Sequence, residues 1–128
     1  MERDAGGTRE RFMGAIADRV APERIAEAHL FTPIRQGGTE SGVAVIAARE
    51  GDAQERLAIY TARYRLVLKG PERGKWEFAM QADADAPLLT VDKVVHGVQR
   101  RSGDAEDPVK LSGEEFGALL GDRAAQQG

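Results

Sequence analysis

The apolar positions near the N-terminus have helical spacing. Large apolar residues recur every four positions, at Phe12, Ile16 and Val20. This spacing predicts a helix over residues 8–20, with the Thr8 hydroxyl as its N-cap. Pro22 interrupts the pattern and suits the first turn of a second helical segment, over residues 22–29. The two segments together predict a bent N-terminal helix.

From residue 30 onward the apolar period changes to two, and glycine-rich breaks separate the apolar runs. Strands are predicted over residues 30–35, 42–49, 56–69, 75–84 and 88–101. The breaks between them are too short for the crossover that parallel strands need. The pattern therefore predicts a five-stranded antiparallel meander.

Alternation within the strands indicates which faces are buried. In the fourth strand Trp76, Phe78 and Met80 share one face, so that face should contact the core. In the third strand one face carries aliphatic residues followed by arginines: Leu57, Ile59, Arg63 and Arg65. The fifth strand carries valines on both faces, at positions 91, 94, 95 and 98, which favours a central or doubly covered position.

A capping box marks the start of a short C-terminal helix. Ser112 and Glu115 have its spacing, and Phe116 begins the apolar face that follows. The fold class predicted is α+β, with the bent N-terminal helix packed on the meander. The chain has 128 residues, which suffices for one core. We expect a single domain over residues 8–122, between flexible termini at 1–7 and 123–128.

Composition narrows the possible functions. The absence of cysteine excludes disulfides, cysteine nucleophiles and zinc sites that need a thiolate. No apolar run has the length of a membrane-spanning helix, and no apolar segment follows the N-terminus as in a secretory signal. These features predict a soluble cytoplasmic protein without membrane contact.

The histidines are candidates for acid–base or metal chemistry. Asp92 precedes His96 by four residues, which on one strand separates them by about 13 Å. A site there would need a third group, for example Asp83 or Asp85. His29 is expected to lie at the C-terminus of the second helical segment, where a positive charge is favourable. We predict no metal and no cofactor.

A ligand pocket between the helix and the sheet is one functional hypothesis. Its apolar lining would come from the alternating strands: Tyr60, Tyr64, Trp76, Phe78 and Met80. Asp92 and His96 are the only polar pair that the sequence suggests for it. A pocket of this composition would bind a small ligand or support a reaction.

Nucleic-acid binding is a second alternative. Basic residues cluster in the third strand and the turn after it, at Arg63, Arg65, Lys69, Arg73 and Lys75. Tyr60, Tyr64 and Trp76 could stack on bases. However, nucleic-acid modules usually have a pI above about 9, whereas this chain has a pI of about 5.4. Nucleic acid is therefore not the favoured partner.

The favoured hypothesis is a non-enzymatic binding or assembly module. A sheet with apolar residues on both faces exposes one face unless something covers it, and symmetric pairing is the commonest cover. We therefore expect a homodimer, or a protein partner, on a contact formed by Leu57, Ile59 and Val67 with Arg63 and Arg65 at its rim.

Overall fold

The computed structural model describes residues 3–50, 53–82, 90–102 and 108–127. Its elements are α1 (Arg3–Arg19), β1 (Ile25–Leu30), β2 (Ile34–Gln36), β3 (Thr39–Glu50), β4 (Ala53–Val67), β5 (Trp76–Ala82), α2 (Val91–Ser102), β6 (Val109–Ser112) and α3 (Gly113–Gln127). The predicted α+β class is confirmed. No helix in the described ranges is long and apolar enough to span a membrane.

The strands form one antiparallel sheet in the order β5-β4-β3-β1-β6. β2 continues alongside the first residues of β3 and is joined to it by a turn at Gly37 and Gly38, both of which have positive φ. The consecutive strands β2, β3, β4 and β5 form the meander, each pairing antiparallel with the next. β6 follows α2 in the chain and pairs with β1, at the sheet edge opposite β5.

The first helix differs from its prediction at both ends. α1 begins at Arg3, so Thr8 lies within the helix and does not cap it. The second helical segment is limited to one 3-10 turn, Pro22–Arg24, after which β1 begins. Ala and Glu in β1 favour a helix locally. Pairing with both β3 and β6 overrides that preference.

Residues 88–101, predicted as the fifth strand, contain a helix where the structure describes them. α2 runs from Val91 to Ser102. Its four valines have the i, i+3, i+4, i+7 spacing of one helix face, and they pack on Val45, Ala47 and Ile59. The β-branched side chains favoured a strand, but their spacing is helical.

Helices pack on both faces of the sheet. α1 and α3 cover the face that carries Ala44, Ile46 and Ala48, while α2 packs on the opposite face. The predicted capping box is confirmed at the start of α3. Ser112 Oγ accepts from the Glu115 amide, and Glu115 Oε1 accepts from the Ser112 amide, both at 3.1 Å.

Candidate functional site

A cleft of about 530 Å³ opens beside α1, at the end of the sheet where β1 gives way to β2. Its apolar lining comes from Phe12, Leu30, Pro33 and Val109. Phe31 also borders the cleft, but its side chain packs against Val45, Ala47 and Ile59 on the other face of the sheet. The sheet pairing is interrupted at residues 32–33, where Pro33 has no amide hydrogen to donate. Small-molecule sites are typically apolar clefts of about 300–1,000 Å³, and this cleft falls within that range.

Glu40 lies at the inner surface of the cleft and is only 4% exposed. On β3 it has the same parity as Ala44 and Ile46, so its side chain points to the α1 face. Glu40 Oε2 accepts a hydrogen bond of 2.6 Å from the Tyr64 hydroxyl. Glu40 Oε1 accepts one of 2.8 Å from Arg35 Nε. Both carboxylate oxygens therefore have a protein donor.

Gly42 allows Tyr64 to reach Glu40. Gly42 and Tyr64 are cross-strand partners in the β3–β4 pair. A Cβ on Gly42 would lie 2.0 Å from Tyr64 Cε2. The tyrosine ring therefore fills the space over Gly42, and its hydroxyl extends two residues along β3. Trp76 stacks on this ring with centroids 4.9 Å apart, and Phe12 packs on it at 4.7 Å. These contacts fix the ring.

The environment keeps the Tyr64 hydroxyl protonated. Burial raises its pKa well above the usual value, and the hydrogen bond to Glu40 and the negative charge of Glu40 raise it further. The positive charge of Arg35 acts in the opposite direction and is the smallest of these effects. Tyr64 is thus a permanent hydrogen-bond donor at neutral pH.

Arg35 connects the buried carboxylate to solvent. It is the cross-strand partner of Glu40 in the β2–β3 pair. The Arg35 side chain is 64% exposed, whereas that of Glu40 is 5% exposed. Arg9, an exposed residue of α1, also lines the cleft. The cleft therefore combines apolar walls, one buried acid and two arginines.

The structure separates the residues predicted for the pocket into two groups. Tyr64 lines the cleft, while the other sheet residues pack half-buried against the α1 core: Tyr60, Trp76, Phe78 and Met80. Asp92 and His96 lie exposed on α2, on the opposite side of the sheet. Asp92 and His96 therefore do not share a pocket with the predicted aromatic residues.

Sequence reasoning missed Glu40, Arg35 and Arg9. Glu40 lies in the glycine-rich break between the strands predicted over residues 30–35 and 42–49. A usable signal existed, since Glu40 continues the even-numbered alternation of Gly42, Ala44, Ile46 and Ala48. A carboxylate in register with a buried face needs a partner. That requirement points to a polar network on the α1 side.

The predicted dimer contact is partly covered within the chain. Ile59 is 2% exposed because α2 packs over it, and Leu57 is half-buried against the same cluster. Val67 is also half-buried, whereas Arg63 and Arg65 are exposed. The apolar face expected to be free is therefore occupied by α2 at Ile59.

The basic residues and the aromatic residues lie on different faces. Arg63 and Arg65 line a second cleft together with Arg101 of α2. Tyr60 and Tyr64 alternate with these arginines along β4 and pack on the α1 side. The remaining predicted basic residues are exposed around the β4–β5 turn: Lys69, Arg73 and Lys75. Tyr64 and Phe78 also border the second cleft, but their rings pack against Phe12 on the α1 side and are not presented beside these cations.

His29 lies in β1 and not at a helix end. It is 7% exposed, and its Nε2 is 2.6 Å from Glu27 Oε2. Lys110 Nζ lies 3.7 Å from the same oxygen. Among the described residues no three acidic or histidine side chains form a group that could hold a metal. Asp83 and Asp85 lie outside the described residues.

No family model, curated protein or solved structure matches this chain. Its function must therefore be inferred from the geometry of the cleft. The apolar walls could bury an apolar ligand, and the Arg35–Glu40–Tyr64 network supplies polar groups in fixed positions.

Proposed function

We propose that this protein is a non-enzymatic binding module that holds a small, largely apolar molecule in the cleft between α1 and the sheet. The observation that carries this proposal is the buried Glu40 carboxylate, hydrogen-bonded through both oxygens at the inner surface of an apolar cleft. A few fixed polar groups among apolar walls are typical of sites that orient a ligand.

The same network supports binding over catalysis. A general base needs an acceptor that a substrate proton can reach, but Glu40 is only 4% exposed and each of its oxygens already accepts one hydrogen bond from the protein. The raised pKa of Tyr64 disfavours a phenolate nucleophile. Both groups therefore suit recognition better than proton transfer.

Self-association, a protein partner and a cytoplasmic location remain predictions. A dimer on the α2 face would have to use the exposed part of that face, around Arg63 and Arg65, because α2 covers Ile59. The cleft lies on the other side of the sheet. Ligand binding and self-association can therefore be tested separately.

A neutral fluorescent dye, N-phenylnaphthylamine, tests the cleft directly. The wild-type protein should bind it saturably, with increased dye emission. Val109 is 49% exposed and lines the cleft, so Val109→Trp should fill part of the opening and weaken binding about tenfold or more. Leu119→Trp is the matched control, because Leu119 is 46% exposed on α3 and is not a lining residue.

Leu119→Trp should bind the dye as the wild type does. Equal affinity of the wild type and Val109→Trp would place the dye elsewhere and contradict the proposal. Absence of saturable binding by the wild type would contradict it as well.

A further inference from the structure

Resting on the proposed function, we infer that the ligand of the cleft carries a carboxylate, which Arg35 and Arg9 receive at the opening while the apolar walls hold its tail. The charges of the lining residues are the first reason. Two arginines and one glutamate line the cleft, so its net charge is positive. A positively charged apolar cleft favours an anionic amphiphile over a neutral or cationic one.

Arg35 still has hydrogen-bond donors to offer. Its Nε–H is engaged by Glu40 Oε1 at 2.8 Å, and a guanidinium has four further N–H donors on its terminal nitrogens. The side chain is 64% exposed at the edge of the cleft. The bond to Glu40 restricts the guanidinium plane, which prepares its free donors for the paired contacts that carboxylates make with arginine.

Glu40 is a poor receptor for a ligand cation. Its side chain is 5% exposed, and both oxygens accept from Arg35 and Tyr64. An ammonium group would have to displace Arg35 and enter a buried position, losing its hydration. Glu40 therefore acts as the internal partner of Arg35, and the exposed guanidinium is the group available to a ligand.

Arg9 adds a second guanidinium from α1. It is exposed and lines the cleft, and no ion pair joins it to a carboxylate in the described part of the chain. The two arginines come from α1 and from the β2–β3 hairpin. A carboxylate held between them would leave its chain against Phe12, Leu30 and Val109. A medium-chain monocarboxylate has this chemistry and fits the cleft volume.

Displacement of bound N-phenylnaphthylamine by decanoate, decanol and decylamine tests the inference, since these molecules differ only in the head group. Decanoate should displace the dye at a concentration about tenfold lower than decanol, and decylamine should be the weakest. Arg9→Gln should remove most of the preference for decanoate and leave decanol unchanged. Arg19→Gln is the matched control, because Arg19 is exposed in the last turn of α1 and is not a lining residue of the cleft. This variant should keep the preference for decanoate over decanol.

The outcomes separate the inference from the proposed function. Equal displacement by decanoate and decanol, with dye binding still sensitive to Val109→Trp, would overturn the carboxylate and keep the cleft. Tightest binding of decylamine would identify Glu40 as the receptor and also overturn it. A preference for decanoate that survives Arg9→Gln and Arg35→Gln alike would contradict the assigned residues. Failure of the wild type to bind the dye or any of the three would overturn both proposals.

Discussion

Replacing Gly42 with alanine should destabilise the fold by about 3 kcal/mol or more and abolish binding in the cleft. The new Cβ would lie 2.0 Å from Cε2 of the Tyr64 ring. The ring cannot move aside, because Trp76 stacks on one side of it and Phe12 packs against it. Overpacking of this kind costs about 1–3 kcal/mol. A displaced hydroxyl also leaves Oε2 of the buried Glu40 without its donor, at about 1–3 kcal/mol more.

Denaturant unfolding measures the effect of Gly42→Ala, and Gly97→Ala is its control. Gly97 lies exposed within α2, and a Cβ there meets nothing within 4 Å. Gly97→Ala should therefore stabilise the protein, by about 0.5–1 kcal/mol. In a Tyr64→Ala background Gly42→Ala should cost little, because the clash is gone. Wild-type stability of Gly42→Ala would show that Tyr64 does not lie over Gly42.

Gly113→Ala should have an effect of similar or greater size, for a backbone reason. Gly113 is the first residue of α3, and a Cβ there would lie 1.9 Å from the carbonyl oxygen of Ile25 and 3.0 Å from that of Pro22. Ile25 begins β1, which β3 and β6 hold from both sides. The helix would have to move away from the sheet and carry the buried Phe116 with it. A loss of about 3 kcal/mol or more is expected.

Gly117→Ala is the matched control in the same helix. Its Cβ would lie 3.5 Å from the Pro22 Cβ, which is an ordinary van der Waals contact. Alanine should therefore stabilise α3 by about 0.5–1 kcal/mol. Thermal or denaturant unfolding of the two variants compares them directly. Equal effects of Gly113→Ala and Gly117→Ala would contradict the close packing of α3 on β1.

Elements whose local sequence pattern matches their final conformation were predicted correctly. β3, β4 and β5 follow the period-two pattern, and the Ser112–Glu115 capping box forms as its spacing requires. β1 could not be predicted this way, because its strand conformation depends on two distant neighbours. α2 was predictable in principle. Its valines repeat with a helical period, which places them on one face against the sheet, although β-branched residues locally favour a strand.

The candidate site was predicted only in part. A pocket between the first helix and the sheet was expected, and Tyr64 was among its residues. The partners of Tyr64 depend on register: Gly42 lies opposite it, and Glu40 lies two residues further along β3. That register follows from the pairing of β3 with β4. Without it, neither Glu40 nor Arg35 could be connected to Tyr64 from the sequence.

Amide NMR spectra of the protein, recorded during titration with N-phenylnaphthylamine, test most directly whether a ligand binds in the cleft. The largest shift changes should fall on the amides of Phe31, Thr32 and Arg35, at the junction of β1 and β2, and on those of Arg9 and Glu40, because these residues line the cleft. Changes concentrated around Arg63 and Arg101, on the other face of the sheet, would contradict the account.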